Sequence, residues 1–395
     1  MSRRTAIAAI VLAGCGQPAQ PKLDQDASDS ASSSTGDSTD DMTSNSADGS
    51  IAVDERGGSS GTVGDGSTTG SDAMGESGHS SGSNDGGAAC GRAFGGGPAT
   101  MTTMHIDIGV HDPSMIWDGN RYYLFGTNSL AVRSSSDLIA WGNAGNYFGA
   151  VPGWVTAATT ATGLWAPDIS YFSGAFHVYY AGSTFGSNTS VIGLTTTTTL
   201  SAPSWSDQGL VIQTKPPDNF NAIDPNVAFD QACQPWLAFG SFWSGIKMRK
   251  LDAATGKLAV DDTTLYALAS RNGGAIEAPS IISHNGYYYL FVSFDACCQG
   301  TRSTYRTMVG RATNITGPYT DKAGAGMMQG AAEQLLATSG RYIGPGGGTA
   351  WKDGDAYLYA YHYYDGLSNG ASKLEIRPID FDASDWITLG SPLFQ

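Results

Sequence analysis

His111-Asp112-Pro113-Ser114-Met115-Ile116-Trp117, an Asp118-Gly119 turn, then Tyr122-Tyr123-Leu124-Phe125-Gly126: this run decides the fold, because the chain repeats it. It returns as Trp165-Ala166-Pro167-Asp168-Ile169-Ser170-Tyr171 with Phe176-His177-Val178-Tyr179-Tyr180-Ala181-Gly182. A third copy is Ala222-Ile223-Asp224-Pro225-Asn226-Val227-Ala228-Phe229 with Trp236-Leu237-Ala238-Phe239-Gly240-Ser241. The fourth is Ile276-Glu277-Ala278-Pro279-Ser280-Ile281-Ile282, an Asn285-Gly286 turn and Tyr287-Tyr288-Tyr289-Leu290-Phe291. The fifth replaces the acid by Gly344-Pro345-Gly346-Gly347-Gly348, then runs Thr349-Ala350-Trp351, an Asp353-Gly354 turn and Tyr357-Leu358-Tyr359-Ala360-Tyr361. Each copy is a short apolar run with period-two alternation, cut by hairpin-turn residues, and helical periodicity is nearly absent. A repeat near 55 residues with about four strands each is the signature of a propeller blade. The expectation is an all-β, five-bladed β-propeller over 105–395. A two-sheet sandwich would not explain a regular repeat of this length.

Ahead of the repeats the composition changes. The 395-residue chain carries 21 basic and 36 acidic side chains, a formal charge of -15, and 53 glycines. Residues 16–89 hold 13 acids against Lys22 and Arg56, a net of -11, which leaves the region from Cys90 onward at -6. With no basic stripe there, nucleic-acid binding through phosphate neutralisation is excluded. No run approaches the roughly 18 apolar residues of a spanning helix, which excludes a helical integral membrane protein.

Residues 1–15 read as an export signal: Arg3 and Arg4, an apolar Ile7 to Ala13 stretch, then Leu12-Ala13-Gly14-Cys15. That ending resembles a bacterial lipobox, which implies cleavage before Cys15 and acylation of its thiol. Several acyl chains give firm anchoring. Gly16 rather than Asp follows the cysteine, which in a Gram-negative host directs the protein to the outer membrane. Residues 16–89 are Ser, Gly, Thr and Asp with almost no large apolar side chains. Such a stretch cannot bury enough surface to offset the entropy of ordering it, so it reads as a disordered acidic tether that holds the 90–395 body away from a membrane.

Cys90, Cys233, Cys297 and Cys298 remain. Outside the cytoplasm four cysteines allow three pairings. Adjacent Cys297 and Cys298 suggest a vicinal bridge, and Cys90 suggests a staple to Cys233. No CxxC spacing points to a metal site, and no cysteine lies in a motif with a histidine partner.

The chemistry is read from the starts of the repeats, which line the channel of a propeller and so meet on its axis. Asp112, Asp168, Asp224 and Glu277 stand there, Asp168 slightly out of step with the others. Asp118, Asp353 and Asn285 are explained by hairpin turns. Clustering carboxylates at an inner edge costs stability and therefore points to a task, a metal or acid–base chemistry. Glycosidic hydrolysis needs one protonated carboxyl and one ionised carboxylate, and a third acid can raise the proton donor's pKa by repulsion. Trp165, Phe220, Phe242 and Trp243 offer faces for sugar stacking. His177 and His284 read as residues on strand or turn surfaces, without a role. The fifth repeat's glycines suit close backbone approach to a ligand and a wider channel mouth.

Taken together, His111-Asp112-Pro113-Ser114, Trp165-Ala166-Pro167-Asp168, Asn221-Ala222-Ile223-Asp224-Pro225 and Ile276-Glu277-Ala278-Pro279-Ser280 resemble the signature of glycoside hydrolase family 43, and most closely its endo-α-1,5-L-arabinanases. Phe294-Asp295-Ala296-Cys297-Cys298-Gln299-Gly300, Ser303-Thr304-Tyr305 and Tyr361-His362-Tyr363-Tyr364-Asp365 sharpen the likeness. The resemblance implies that Asp112 is the general base, Glu277 the general acid, and Asp224 the residue that orients that acid and tunes its pKa. It implies inversion at the anomeric centre. Trp165, Asp168, Asn221, Ser241 and Trp243 are expected at the substrate, and His362 beside a calcium ion at the channel floor. The expected partner is arabinan or a related plant cell-wall polysaccharide, and the expected state a monomer touching membrane only through its lipid. An exo-acting β-xylosidase or α-L-arabinofuranosidase on the same fold is the first alternative. It would need a wall across the groove, for which 140–163 and 299–306 are the candidates. A non-catalytic glycan-binding surface lipoprotein is the second, and it would have no need of Asp112 and Glu277 together.

Overall fold

The computed structural model describes Cys90, Gly96, Gly97 and residues 107–393; the export signal, Cys15 and the tether lie outside the described residues. Twenty strands form five four-stranded antiparallel sheets, each in simple chain order. Blade 1 comprises β1 (Ser114–Trp117), β2 (Tyr122–Phe125), β3 (Ala131–Ser135) and β4 (Gly142–Asn146). Blade 2 follows a short helix, α1 (Gly153–Thr159), with β5 (Trp165–Phe172), β6 (Ala175–Gly182), β7 (Ser190–Thr197) and β8 (Ser206–Thr214). Blade 3 holds β9 (Asn226–Phe229), β10 (Pro235–Phe239), β11 (Ile246–Lys250) and β12 (Tyr266–Ala269). Blade 4 holds β13 (Ile276–His284), β14 (Tyr287–Phe294), β15 (Arg306–Ala312) and β16 (Glu333–Leu336). Blade 5 holds β17 (Tyr342–Asp353), β18 (Ala356–Asp365), β19 (Ala371–Phe381) and β20 (Ile387–Leu389). The first strands β1, β5, β9, β13 and β17 neighbour one another in a closed ring. The structure is the five-bladed propeller that the repeat implied.

The apolar strands are buried on both faces, and period-two alternation decides which neighbouring blade each residue meets. On β6, Phe176, Val178 and Tyr180 join blade 1, with Tyr123 and Phe125, while Tyr179 joins Leu237 and Phe239 of blade 3. Five such wedges, one between each pair of blades, make up the core. His177 shares the blade 3 side. It is 4% exposed, stacks on Phe172 at 3.7 Å, and burial pushes its imidazole down to about 4. It is a core residue, contrary to the surface position expected for it.

Each inner strand carries a residue in the left-handed region at a corresponding place, just before it or within it: Asp112, Ala166, Asp224, Ala278 and Gly347. Gly and Asp tolerate this conformation, whereas alanine does so only under strain. Asp112 and Asp224 thus suit the backbone here as well as any chemistry. Two residues further on, a side chain reaches the next blade. Ser114 Oγ accepts from the Ile169 amide, Asp168 Oδ2 from Val227, Asn226 Oδ1 from Ile281, and Ser280 Oγ from Ala350, at 2.9–3.1 Å. Asp168 belongs to this ladder, so the four acids are not equivalent: only Asp112 and Asp224 occupy the same blade position.

The ring closes on β19. The segment before blade 1 bridges to it at Gly109 and Lys373, and Ile108 accepts from the Leu374 amide at 2.8 Å. The chain's last described residues run along the same strand, with the Leu393 amide bonded to Ile376 O at 2.8 Å. Two disulfides form, Cys90–Cys233 and Cys297–Cys298. Asp353 does more than turn a hairpin: it is 5% exposed and accepts from Tyr122 OH at 2.5 Å and from the Gly97 amide at 2.7 Å.

Candidate active site

At one end of the channel the inner-strand starts bring Asp112, Asp224 and Glu277 within reach of each other's charge. The charges of Glu277 and Asp112 both press on Asp224, and Asp112 presses on Glu277. The three differ in what surrounds them.

Asp112 is supplied with donors. Thr127 Oγ1 donates to its Oδ2 at 2.5 Å, and His111 Nδ1 lies 2.7 Å from the same oxygen. Thr127 Oγ1 itself accepts from the Ala166 amide at 2.7 Å, so its own proton is committed to Asp112. Burial opposes ionisation, but the charge and hydrogen bond of His111, with His362 and Thr127, hold the carboxyl down at about 2. Asp112 is therefore an ionised carboxylate at any ordinary pH.

Glu277 is 9% exposed, and burial, followed by the Asp112 charge, raises its proton affinity against the opposing donors Ser241 and Tyr305. Ser241 Oγ donates to Oε2 at 2.6 Å, and Tyr305 OH donates to Oε1. Asp224 is raised well above the usual carboxylate range by burial and by the Glu277 and Asp112 charges. Its Oδ2 accepts from the Ala278 amide at 3.0 Å, the residue next to Glu277, which ties the two side chains to one piece of backbone. Burial and mutual repulsion thus favour the protonated form in both carboxyls.

His362 lies against Asp112. It is fully buried, stacks on His111 at 3.7 Å, and burial, with His111, keeps its imidazole well below the usual range. Its Nδ1 stands 3.1 Å from the Asp112 amide and 3.5 Å from Asp112 Oδ1. Its Nε2 has no partner among the described residues. With the proton on Nε2, Nδ1 accepts from the amide. With the proton on Nδ1, Nε2 offers a lone pair to a cation. His111, Asp112 and His362 place their ligand atoms within 4.8 Å of one another, so a neutral, buried, unpartnered imidazole beside a carboxylate fits a metal site completed by water.

The glycine run of β17 makes room for side chains rather than for a ligand. A Cβ on Gly347 would meet Asp112 and His362, one on Gly346 would meet the Tyr305 ring, and one on Gly348 would meet Tyr359. The wider mouth expected from these glycines is therefore filled by the site's own residues. A cavity of about 150 Å³ does exist, but it lies further along the inner strands, lined by Asp168, Asn226, Ile281, Thr349 and Trp351.

Of the residues expected at substrate, the structure places Trp165 and Trp243 half-buried. Trp165 packs edge-on to Phe185, which is 64% exposed. Phe242 is 37% exposed, and both Phe242 and Trp243 have positive φ, a strained conformation for aromatic residues. The Phe242 amide bonds Ile276 O at 2.8 Å and docks that loop on the strand bearing Glu277. Ser241 contacts Glu277 itself. Three expectations are corrected. Asp168 is 2% exposed and faces blade 3, accepting also from Asn226 Nδ2 at 2.9 Å. Asn221 is 3% exposed, with its Oδ1 taken by Ser190 at 2.6 Å. Phe220 packs on the core beside Phe239. Thr127, Phe185 and the roles of His111, Tyr305 and Tyr364 were not read from the sequence. Thr127 had a signal, since Gly126-Thr127 and Gly240-Ser241 stand at matching ends of their second strands.

A propeller whose channel brings together one carboxylate kept ionised and two buried carboxyls of raised proton affinity defines a glycoside hydrolase of the propeller class. The sequence profile of "Glycosyl hydrolases family 43" matches residues 106–387. The extracellular endo-α-(1→5)-L-arabinanase 1 of Bacillus subtilis strain 168 is 44% identical over 286 residues, covering 70% of this chain and 86% of that protein. The extracellular exo-α-(1→5)-L-arabinofuranosidase ArbA of Cellvibrio japonicus is 38% identical over 298 residues, covering 71% of this chain and 86% of that protein. The solved family 43 endo-arabinanase of Bacillus licheniformis superposes with a TM-score of 0.68 at 45% identity, covering 73% of this chain and 99% of that one. The chain belongs to glycoside hydrolase family 43.

Proposed function

We propose that the protein is an exported, inverting glycoside hydrolase that cleaves internal α-1,5-L-arabinofuranosidic bonds of arabinan. One observation carries the reaction type: within one channel Asp112 is held ionised while burial pushes Glu277 toward its protonated form. Asp112 takes a proton from water as that water attacks the anomeric carbon, and Glu277 gives its proton to the departing oxygen. Asp224, hydrogen-bonded to the Ala278 amide, orients Glu277 and keeps a proton in the pair. Inversion asks for a base–acid separation of roughly 6.5–9.5 Å, enough for one water. The arabinan substrate and endo action are supported by the Bacillus subtilis relative.

His362 would hold a calcium ion through Nε2, with Asp112 beside it and water as the other ligands. Bound there, the ion supplies positive charge at the channel floor, which favours the ionised Asp112. The extracellular relatives support export. Acylation of Cys15 would then anchor a monomer to the bacterial outer membrane, with 16–89 as its tether.

The test is incubation of the protein with linear α-1,5-arabinan and sizing of the products over time. Early oligosaccharides with a rapid fall in viscosity support endo action. Steady release of arabinose alone moves the reading to the exo enzyme, which the Cellvibrio relative favours. Binding without product would leave a non-catalytic glycan-binding lipoprotein. Glu277→Ala should lose cleavage of the polymer yet retain much activity on an arabinoside with a very good leaving group, whereas Asp112→Ala should fail on both.

A further inference from the structure

We propose that Tyr364 and the Cys297–Cys298 disulfide are positioning elements for the general base, acting through His111. The proposal rests on the reading of Asp112 just given. Between β14 and β15 the chain turns through Asp295 and Cys298, both at positive φ, and the two adjacent cysteines are bonded to each other. This loop presents two donors to one phenol oxygen. The Cys298 amide donates to Tyr364 OH at 2.7 Å, and the Ser303 hydroxyl, itself accepting from the Gln299 amide at 3.0 Å, is hydrogen-bonded to the same oxygen.

An amide N–H can only donate, and a hydroxyl whose lone pair is filled by an amide has its proton to give. Both acceptor positions of Tyr364 are thus taken, and its own proton has one direction left, toward His111 Nε2 at 2.8 Å. In its neutral form an imidazole that accepts at Nε2 carries its proton on Nδ1, 2.7 Å from Asp112 Oδ2, and protonation, which the Asp112 charge favours against burial, leaves that Nδ1–H in place. The polarity set at the Cys298 backbone therefore runs through Tyr364 and His111 and ends as a donor on the carboxylate. Thr127, filled by the Ala166 amide, arrives at the same oxygen by the same logic. Reverse the polarity and Nδ1 would turn a lone pair onto Asp112, repelling the base from its place.

The disulfide's part is conformational. It closes a small ring across the Cys297–Cys298 peptide and restricts where the Cys298 N–H can point. Cys298 Sγ also lies 3.8 Å from His111 Nε2, against the ring it helps to orient. Groups one step removed from a reacting residue commonly change activity about tenfold to a hundredfold when lost.

Tyr364→Phe keeps the buried ring and removes only the hydroxyl. It should lower kcat on arabinan about tenfold to a hundredfold with KM within about twofold and the thermal midpoint nearly unchanged. Cys297→Ser/Cys298→Ser should fall in the same direction. So should the wild type treated with a dithiol, which gives the bond two electrons and two protons, leaving two thiols as the reagent closes to its own disulfide. Wild-type kcat in either variant overturns the proposal, and if the serine variant fails to fold, Tyr364→Phe decides alone. A second readout needs no substrate: with six histidines in the chain, ¹⁵N spectra resolve the His111 tautomer, which should be Nδ1–H in the wild type and should change in Tyr364→Phe. A wild type inert on arabinan would sink the proposed function while this spectrum still judged the relay.

Discussion

Gly347 leaves open the space that Asp112 occupies: a Cβ there would lie 2.4 Å from Asp112 Oδ1 and 2.7 Å from the His362 ring, on a backbone at φ +57°. Gly347→Ala therefore cannot be absorbed without moving the base or straining β17. Since a displacement near 1 Å at a reacting group can cost about a hundredfold, kcat should fall by about that much. The expected result is a folded protein, by circular dichroism, with little activity. Wild-type turnover would show that Asp112 tolerates displacement and is not the base.

Ser241 and Asp224 should move the alkaline limb of the pH profile in opposite directions. A hydroxyl donated to Glu277 favours its ionised form, so Ser241→Ala raises the acid's proton affinity and carries the limb to higher pH. Asp224→Asn removes a neighbouring negative charge, so the limb moves to lower pH. Measuring kcat/KM across pH for both variants decides it, and a shift of the same sign in both would contradict the assignment.

Asp168 makes a prediction about stability instead of catalysis. Burial pushes its carboxyl up to about 7 from a usual 3.8, against the hydrogen bonds from Val227 and Asn226. Between those two values the folded protein holds a proton that the unfolded chain has released, so stability falls as pH rises from 3.8 toward 7, by at most about 4 kcal/mol. Asp168→Asn should flatten that fall in denaturant unfolding measured at pH 4, 5.5 and 7. An equally steep slope in wild type and variant would refute the buried-proton account.

Asp353→Ala removes the hydrogen bond by which the fully buried Tyr122 hydroxyl holds Asp353 across the interface of blades 5 and 1, together with that from the Gly97 amide. Each such bond contributes about 0.5–1.5 kcal/mol. Urea unfolding should register that loss without a change in KM.

Calcium can be weighed directly. Elemental analysis of the purified protein should find roughly one ion per chain, and none in His362→Ala, as a site with a single protein nitrogen and mostly water ligands would require. Equal calcium in both would place any ion elsewhere.

The repeat was legible because turns and alternation are local: Asp118-Gly119, Asn285-Gly286 and Asp353-Gly354 punctuate strands whose two faces meet two neighbouring blades. The acids were legible too, but their register was not. Spacing alone made Asp168 look like Asp112 and Asp224, whereas the residue equivalent to them in blade 2 is Ala166, marked by a positive φ that no spacing reveals. Asn221 and Phe220 were misplaced because nearness to Asp224 in sequence does not set direction in coil: between β8 and β9 the chain turns Asn221 to Ser190 and Phe220 to Phe239. Thr127 and Tyr305 reach their carboxylates from the turn after β2 and the loop before β15, so their roles exist only once each blade has folded.

The pairing of the segment around Ile108 with β19 fixes an order of assembly. Until β19 has been made, four blades stand in an open arc, with the inner face of blade 1 lacking its neighbour and the wedge of Met115, Leu124, Leu358 and Leu374 half built. Asp112 would then lack His362, Tyr364 and Gly347, all carried by blade 5. The open arc therefore holds Asp112 apart from its blade 5 partners, and the site is complete only when the last blade docks against the first.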